Sequence, residues 1–197
     1  MSPSALPATS SYSIATIPAD GIGPEVVEAG VEVLQSLSQK LGTFKLDFVN
    51  YDWSSETYKK TGKYIPDDDC SHGHEARVIG YYRRHQLAAL AGSIGIAPTS
   101  NLDPTRENPS MFEPIHGSAF DITGMGISNP VATFWSAAEL LDWIGEAEAA
   151  KHLLDAVEEV CEKGIVTADL GGKANTKEVT AAVCEEIQNI MSKKVQA

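Results

Sequence analysis

The apolar positions of this chain fall into alternating strand-like and helix-like runs. Residues 13–18, Ser-Ile-Ala-Thr-Ile-Pro, suit a short buried strand, with a turn at Ala19-Asp20-Gly21. Beyond Pro24, the residues Val27, Val31, Leu34 and Leu41 recur at helical spacing. Proline in the first turn, acids near the start, Lys40 near the end and a stop at Gly42 all agree with that helix. Phe44, Leu46 and Phe48 alternate as a strand does, and a short amphipathic helix is predicted from about 54 to 60, ending at Gly62. The runs GSIGIAP (92–98) and SMFEPI (110–115), bounded by Gly and Pro, read as strand and loop. Three longer helices are predicted over 131–144, 146–163 and 175–192. The last of these has Asn175 and Glu178 spaced for a capping box. No internal repeat is visible, and strands alternating with helices define an α/β fold class.

Composition narrows the partners. The chain has 197 residues, with 27 acidic against 15 basic side chains and a formal charge of −12. That balance argues against general affinity for nucleic acid or for an anionic membrane. No apolar run approaches the roughly 18 residues of a membrane span. Residues 1–12 lack a basic start, an apolar core and arginine, so they are read as a short disordered tail rather than a targeting segment. Cys70, Cys161 and Cys184 are odd in number and far apart, which suggests free thiols and a cytoplasmic location.

Two glycine-containing turns carry candidate chemistry. In DGIGPEV, Asp20 to Val26, the first two glycines have the spacing of a dinucleotide fingerprint, but Val26 stands where the third belongs. Asp52, at the end of the next strand, is then a candidate ribose acid. A plain strand-to-helix turn explains the same residues. The segment EPIHGSAFDITGMGISNP, Glu113 to Pro130, holds five Gly or Pro residues and must follow a specified irregular path. In it the imidazole of His116 can stack on a planar ring. The carboxylate of Asp121 can accept both hydroxyls of a ribose, and the amide of Asn129 can read an adenine edge. The alternative is a surface loop whose polar groups satisfy its own backbone.

Together, IPADGIGPEVV, GSIGIAPTSN and EPIHGSAFDITGMGISNP resemble the β-decarboxylating dehydrogenases, the family of isopropylmalate, isocitrate and tartrate/D-malate dehydrogenases. WSSETYKKTGKYIPDD (53–68) and TADLGGKANTKEVTAAV resemble the tartrate/D-malate branch in particular. The resemblance implies an isopropylmalate dehydrogenase-like three-layer domain with a mixed sheet, spanning 13–195 and assembled from segments 13–69 and 87–195, with the second domain largely absent. It implies NAD as cofactor, held by His116, Gly117, Ser118, Ala119, Asp121, Ile122 and Asn129. His116 and Ile122 would flank the adenine, Asp121 would hold the adenosine ribose, and Asn129 would bond the adenine. A carboxylate at 121 repels a 2′-phosphate and so favours NAD over NADP. The chain departs from the family at Phe120, where proline is usual, and at Ala19, where glycine is usual.

The resemblance further implies NAD-dependent oxidation of a 2-hydroxy diacid such as tartrate or D-malate, with or without decarboxylation. Mg or Mn would assist, in a homodimer; 3-isopropylmalate is an alternative substrate. Such chemistry needs arginines for the substrate carboxylates, a Tyr/Lys pair and paired aspartates for the metal. Between Glu75 and Asp103 there is neither Asp nor Glu, so no catalytic or metal-binding residue is assigned. On the order of 150 residues of family sequence, a domain's worth, is missing between PDD and LAALAGSIG. The strand that follows PDD and the dimer contact are expected to be lost with it. This makes the chain an inactive enzyme, a non-catalytic NAD-binding remnant or a gene-model fragment.

The seam, 70–86, has residues of its own to weigh. Cys70, His72 and His74, with His85 further on, make a conceivable zinc cluster in what reads as a surface connector. Arg77, Arg83 and Arg84 are read as a solvated basic face rather than substitutes for the substrate arginines. The triplet Asp67-Asp68-Asp69 suits a helix start better than a metal.

Overall fold

The computed structural model describes residues 9–65, 77–79 and 93–195. Among these, five strands form one mixed sheet in the order β2-β1-β3-β5-β4. β1 (Ser10–Thr16) runs parallel to β2 (Phe44–Asn50), in register from Ser10 opposite Phe44 to Thr16 opposite Asn50. β3 (Arg77–Ile79) lies parallel between β1 and β5 (Met111–Pro114). β4 (Pro98–Asn101) closes the edge antiparallel to β5.

The helices stack on one side. α1 (Gly23–Leu41) packs on β2 and α3 (Val131–Trp143) on β4 and β5; α4 (Ala147–Glu162) and α5 (Thr176–Val195) cover those two helices. Sheet, inner helices and outer helices make three layers around one core. Ile14, Phe44 and Phe112 from the sheet meet Leu34, Leu37, Phe134, Leu140, Leu153, Val183 and Ile187 from the helices. α3 is caught between two layers, so nine of its thirteen residues are buried. Each such Leu or Phe contributes about 1.5–3 kcal/mol by leaving water. On the opposite face, β1 and β2 present Ser11, Ser13, Lys45 and Asp47 to solvent, the alternation a half-covered sheet requires.

Local signals place the element ends. α1 has proline in its first turn and stops at Gly42, whose N–H reaches Ser38 O at 2.9 Å. α2 (Ser55–Thr61) buries none of its residues. It is fixed by its start, where Ser54 Oγ accepts from Thr57 N at 3.2 Å and Asp20 accepts from Ser55 N at 3.0 Å. The capping box of α5 is formed in both directions: Asn175 N donates to Glu178 Oε2 at 2.8 Å, and Glu178 N to Asn175 Oδ1 at 2.9 Å.

Three expectations need correction. β1 begins at Ser10, so Ser10–Tyr12 belong to the sheet and not to the tail, because pairing with Phe44–Leu46 satisfies their backbone groups. In the run 92–98 the described residues are no strand up to Ala97 but carry a 3-10 turn, Ile94–Ile96, with β4 starting only at Pro98. The seam supplies strand β3, with Ile14 opposite Arg77 and Val78 opposite Met111. It is therefore not a plain surface connector at that point. β1 and β5 each need a partner in the slot between them, and the β-branched pair Val78-Ile79 suits it.

Candidate functional site

Between β5 and α3 the chain runs through His116 to Asn129. Ala119 sits in the left-handed region at φ +39° and leads into a 3-10 turn, Phe120–Ile122. Both ends of this loop are tied to the turn that opens α1. At one end Ile22 N donates to Ser118 O at 2.8 Å. At the other, Ser128 N donates to Glu25 Oε1 at 3.1 Å, and Thr176 N donates to Gly126 O at 3.0 Å.

The loop walls a cavity of about 280 Å³ lined by His116, Gly117, Ile122, Asn129, Ser93 and Asp169, among others. Its size is near the lower end for small-ligand sites, about 300 Å³. His116 is 8% exposed; its Nδ1 lies 3.3 Å from Gly117 O, and its Nε2 is buried without a partner. Burial holds its pKa below the ordinary histidine value, against the opposing pull of the Gly117 carbonyl and the Asp169 charge. The ring is thus neutral at pH 7, suited to stacking and to one hydrogen bond. Ser128, also on the cavity wall, has a buried hydroxyl with no partner. Two of the lining residues thus carry a buried polar atom without a partner, which costs free energy until one is supplied.

Asp169 organises three of its neighbours around this cavity. Its Oδ2 accepts from Ser93 Oγ at 2.5 Å and from Asn129 Nδ2 at 2.9 Å, and its Oδ1 from Thr167 Oγ1 at 2.5 Å. Burial alone would raise its pKa, but the Asn129, Ser93 and Thr167 hydrogen bonds outweigh that and hold the carboxyl below its ordinary value. Asn129 Oδ1 in turn accepts from Val131 N at 3.0 Å at the start of α3. The amide orientation is therefore fixed, with one N–H and one lone pair left for a ligand.

The structure brings His116, Gly117, Ala119, Ile122 and Asn129 to this one cavity. Ser118 lines a neighbouring cavity of about 120 Å³ that shares His116 and reaches Asp20. Asp121 is exposed, and among the described residues nothing hydrogen-bonds to its carboxylate. Ser93, Asp169, Glu25 and Thr176 carried no local signal, since each acts only through partners remote in sequence. The motif GSIG held a hint, because Ser93 Oγ also accepts from Gly95 N at 2.9 Å.

The DGIGPEV turn is not a phosphate cradle. A Cβ on Gly21, at φ +66°, would lie 1.9 Å from Ser118 O, and one on Gly23 would lie 1.8 Å from Pro18 O. Both glycines admit the protein's own backbone. Asp52 is likewise occupied, accepting from Ser54 Oγ at 3.1 Å and Thr57 Oγ1 at 2.9 Å at the start of α2. Among the described residues no group of three or more His, Cys, Asp or Glu side chains could hold a metal ion. None of their helices is long and apolar enough to cross a membrane. Cys161 and Cys184 are free thiols. Cys70, His72, His74, His85, Arg83 and Arg84 lie outside the described residues, as does the Asp67–Asp69 triplet.

The arrangement is that of a mixed-sheet α/β domain whose glycine-bearing loop walls a small cavity. A sequence model of isocitrate/isopropylmalate dehydrogenase matches residues 13–81 and 84–186, so the chain belongs to the isocitrate/isopropylmalate dehydrogenase family. It is 68% identical over 99 residues to a probable tartrate dehydrogenase/decarboxylase of Agrobacterium vitis, covering 50% of this chain and 28% of that protein. It is 47% identical over 104 residues to a decarboxylating D-malate dehydrogenase of Escherichia coli, covering 50% and 29%. These matches therefore span less than a third of the curated relatives' length. The fold matches a β-decarboxylating dehydrogenase of Thermococcus kodakarensis with a TM-score of 0.75 at 19% identity, over 92% of this chain and 97% of that one. It matches an isocitrate dehydrogenase of Methylococcus capsulatus with a TM-score of 0.74 at 16% identity, over 90% and 99%.

Proposed function

We propose that this chain is an NAD-binding domain of the tartrate/D-malate dehydrogenase type, spanning 10–195, which holds the cofactor on the loop His116–Asn129 and does not itself turn over a hydroxy diacid. The observation that carries the reading is that two residues lining the 280 Å³ cavity, His116 and Ser128, each keep a buried polar atom without a partner, Nε2 and Oγ. A bound purine would supply their partners. The neutral His116 ring and Ile122 would flank it, and the spare N–H and lone pair of Asn129 would meet its edge. Asp121, exposed on the same loop, would accept ribose hydroxyls, and its charge would oppose a 2′-phosphate. NAD, when bound, supplies hydride acceptance; these residues bind and orient it.

Substrate turnover is a separate matter. The described residues offer no cluster fit for Mg or Mn, so no step through a divalent cation is derived. The hydroxy diacids named for the relatives are the substrate class of the enzymes this domain resembles. Titration by calorimetry tests the binding: NAD should bind, NADP at least tenfold more weakly, and Asp121→Ala should narrow that gap. Equal affinity for the two would refute the role of Asp121, and no heat from either would refute the cofactor. Reduction of NAD on D-malate or tartrate with Mn²⁺ would overturn the claim of inactivity.

A further inference from the structure

The far half of the nucleotide loop has almost nothing to hold it by packing. Gly124 and Gly126 carry no side chain, while Met125 is 60% and Ile127 42% exposed. A loop with so little buried apolar surface takes a fixed shape only if polar contacts impose one. Those contacts come from two residues, Glu25 and Thr176. Glu25 Oε1, in the first turn of α1, receives the Ser128 N–H at 3.1 Å and meets the Thr176 hydroxyl. The same hydroxyl reaches Ser128 O at 2.7 Å, and Thr176 N donates to Gly126 O at 3.0 Å. Ser128 is 1% and Thr176 2% exposed, so water does not compete for these bonds. Glu25 lies 103 residues from Ser128 and 151 from Thr176 in sequence, so the clamp joins three distant parts of the chain.

From this we infer that Glu25 and Thr176 are positioning residues, a clamp that sets the loop bearing His116, Ile122 and Asn129 in its ligand-ready shape. The DGIGPE turn thereby gains a role that its glycines alone do not give it. Ile22 N holds the near end at Ser118 O and Glu25 the far end at Ser128 N, so a single turn spans the loop. The inference rests on the NAD reading above for its consequence, but not for its geometry.

Hydrogen–deuterium exchange of the ligand-free protein, read by mass spectrometry, tests the clamp directly. Glu25→Leu and Thr176→Val should raise exchange across 117–128 about tenfold or more, while peptides of α4 keep their wild-type rate. Glu25→Gln, which retains an acceptor oxygen, and Thr176→Ser, which retains the hydroxyl, should restore protection. The same Leu and Val variants should weaken NAD in calorimetry about tenfold, with Gln and Ser close to wild type. Wild-type exchange in Glu25→Leu would overturn the clamp. So would a rise spread equally into α4, which marks general destabilisation. If wild-type protein shows no NAD binding, the functional reading fails while the exchange data still decide the clamp.

Discussion

The Asp169 carboxylate holds the Asn129 side-chain amide beside it in the cavity lining, Nδ2 to Oδ2 at 2.9 Å, from 40 residues further along the chain. Ser93 and Thr167 aim hydroxyls at the same carboxylate. Asp169→Asn would set an NH₂ group against these donors and should cost about 1.5–3 kcal/mol in urea unfolding at pH 7. The loss should carry a pH signature. The folded-state pKa of Asp169 lies below its ordinary value, so its contribution is present above the unfolded value, about 3.9, and fades as pH falls through the folded one. The gap between wild type and variant should therefore shrink in acid; a gap independent of pH would contradict the assignment.

Glu113 should give the opposite slope. It is fully buried in β5, with Oε1 bonded to Asn101 Nδ2 at 3.1 Å and Oε2 without a partner. Burial pushes its pKa up to about 8, with the Asn101 bond pulling weakly the other way. The folded protein keeps this proton while the unfolded chain releases it near the ordinary value of about 4.3. Stability should thus fall as pH rises from there to about 8 and level off above. Glu113→Gln should remove that slope and exceed wild type at pH 9, as chemical denaturation at several pH values would show.

Ala19 occupies a left-handed conformation at φ +52°. A Cβ there costs about 1–2 kcal/mol, part of which glycine returns through its freer unfolded state. Ala19→Gly should accordingly stabilise the domain by about 0.5–1 kcal/mol. A melting temperature unchanged or lowered would show that the turn tolerates the side chain without strain.

Asn175→Ala removes one half of the α5 capping box and should cost about 1 kcal/mol. In a domain of this size that is a drop of about 2–4 °C in Tm. Asn175→Asp, which keeps the acceptor for Glu178 N, should recover most of it.

Much of the fold was legible because it rests on local signals. The 3.6-residue spacing of α1, its proline entry and Gly42 exit, the alternation Phe44-Leu46-Phe48 and the Asn175/Glu178 spacing all act within one or two turns of chain, and each appears where expected. The seam misled because three residues, Arg77 to Ile79, have no periodicity to read. They become a strand only because β1 and β5 leave a slot with unpaired backbone on both sides. GSIGI misled in the other direction, as an apolar run that turns around the Ser93 hydroxyl instead of extending.

The candidate site divides along the same line. By itself the sequence determined that a loop rich in glycine and proline carries His116, Asp121 and Asn129, since residue types and motif are written in one continuous stretch. Only the tertiary structure decided which of them share a cavity, that burial keeps His116 neutral, and that Asp121 stays at the surface. It alone also decided that Gly21 serves the close approach of Ser118 and that Glu25, Thr176 and Asp169 hold the loop in place. The reason is physical: a hydrogen bond between residues 40 to 151 positions apart leaves no mark in either neighbourhood. It exists only once the helices have packed and brought both ends out of water.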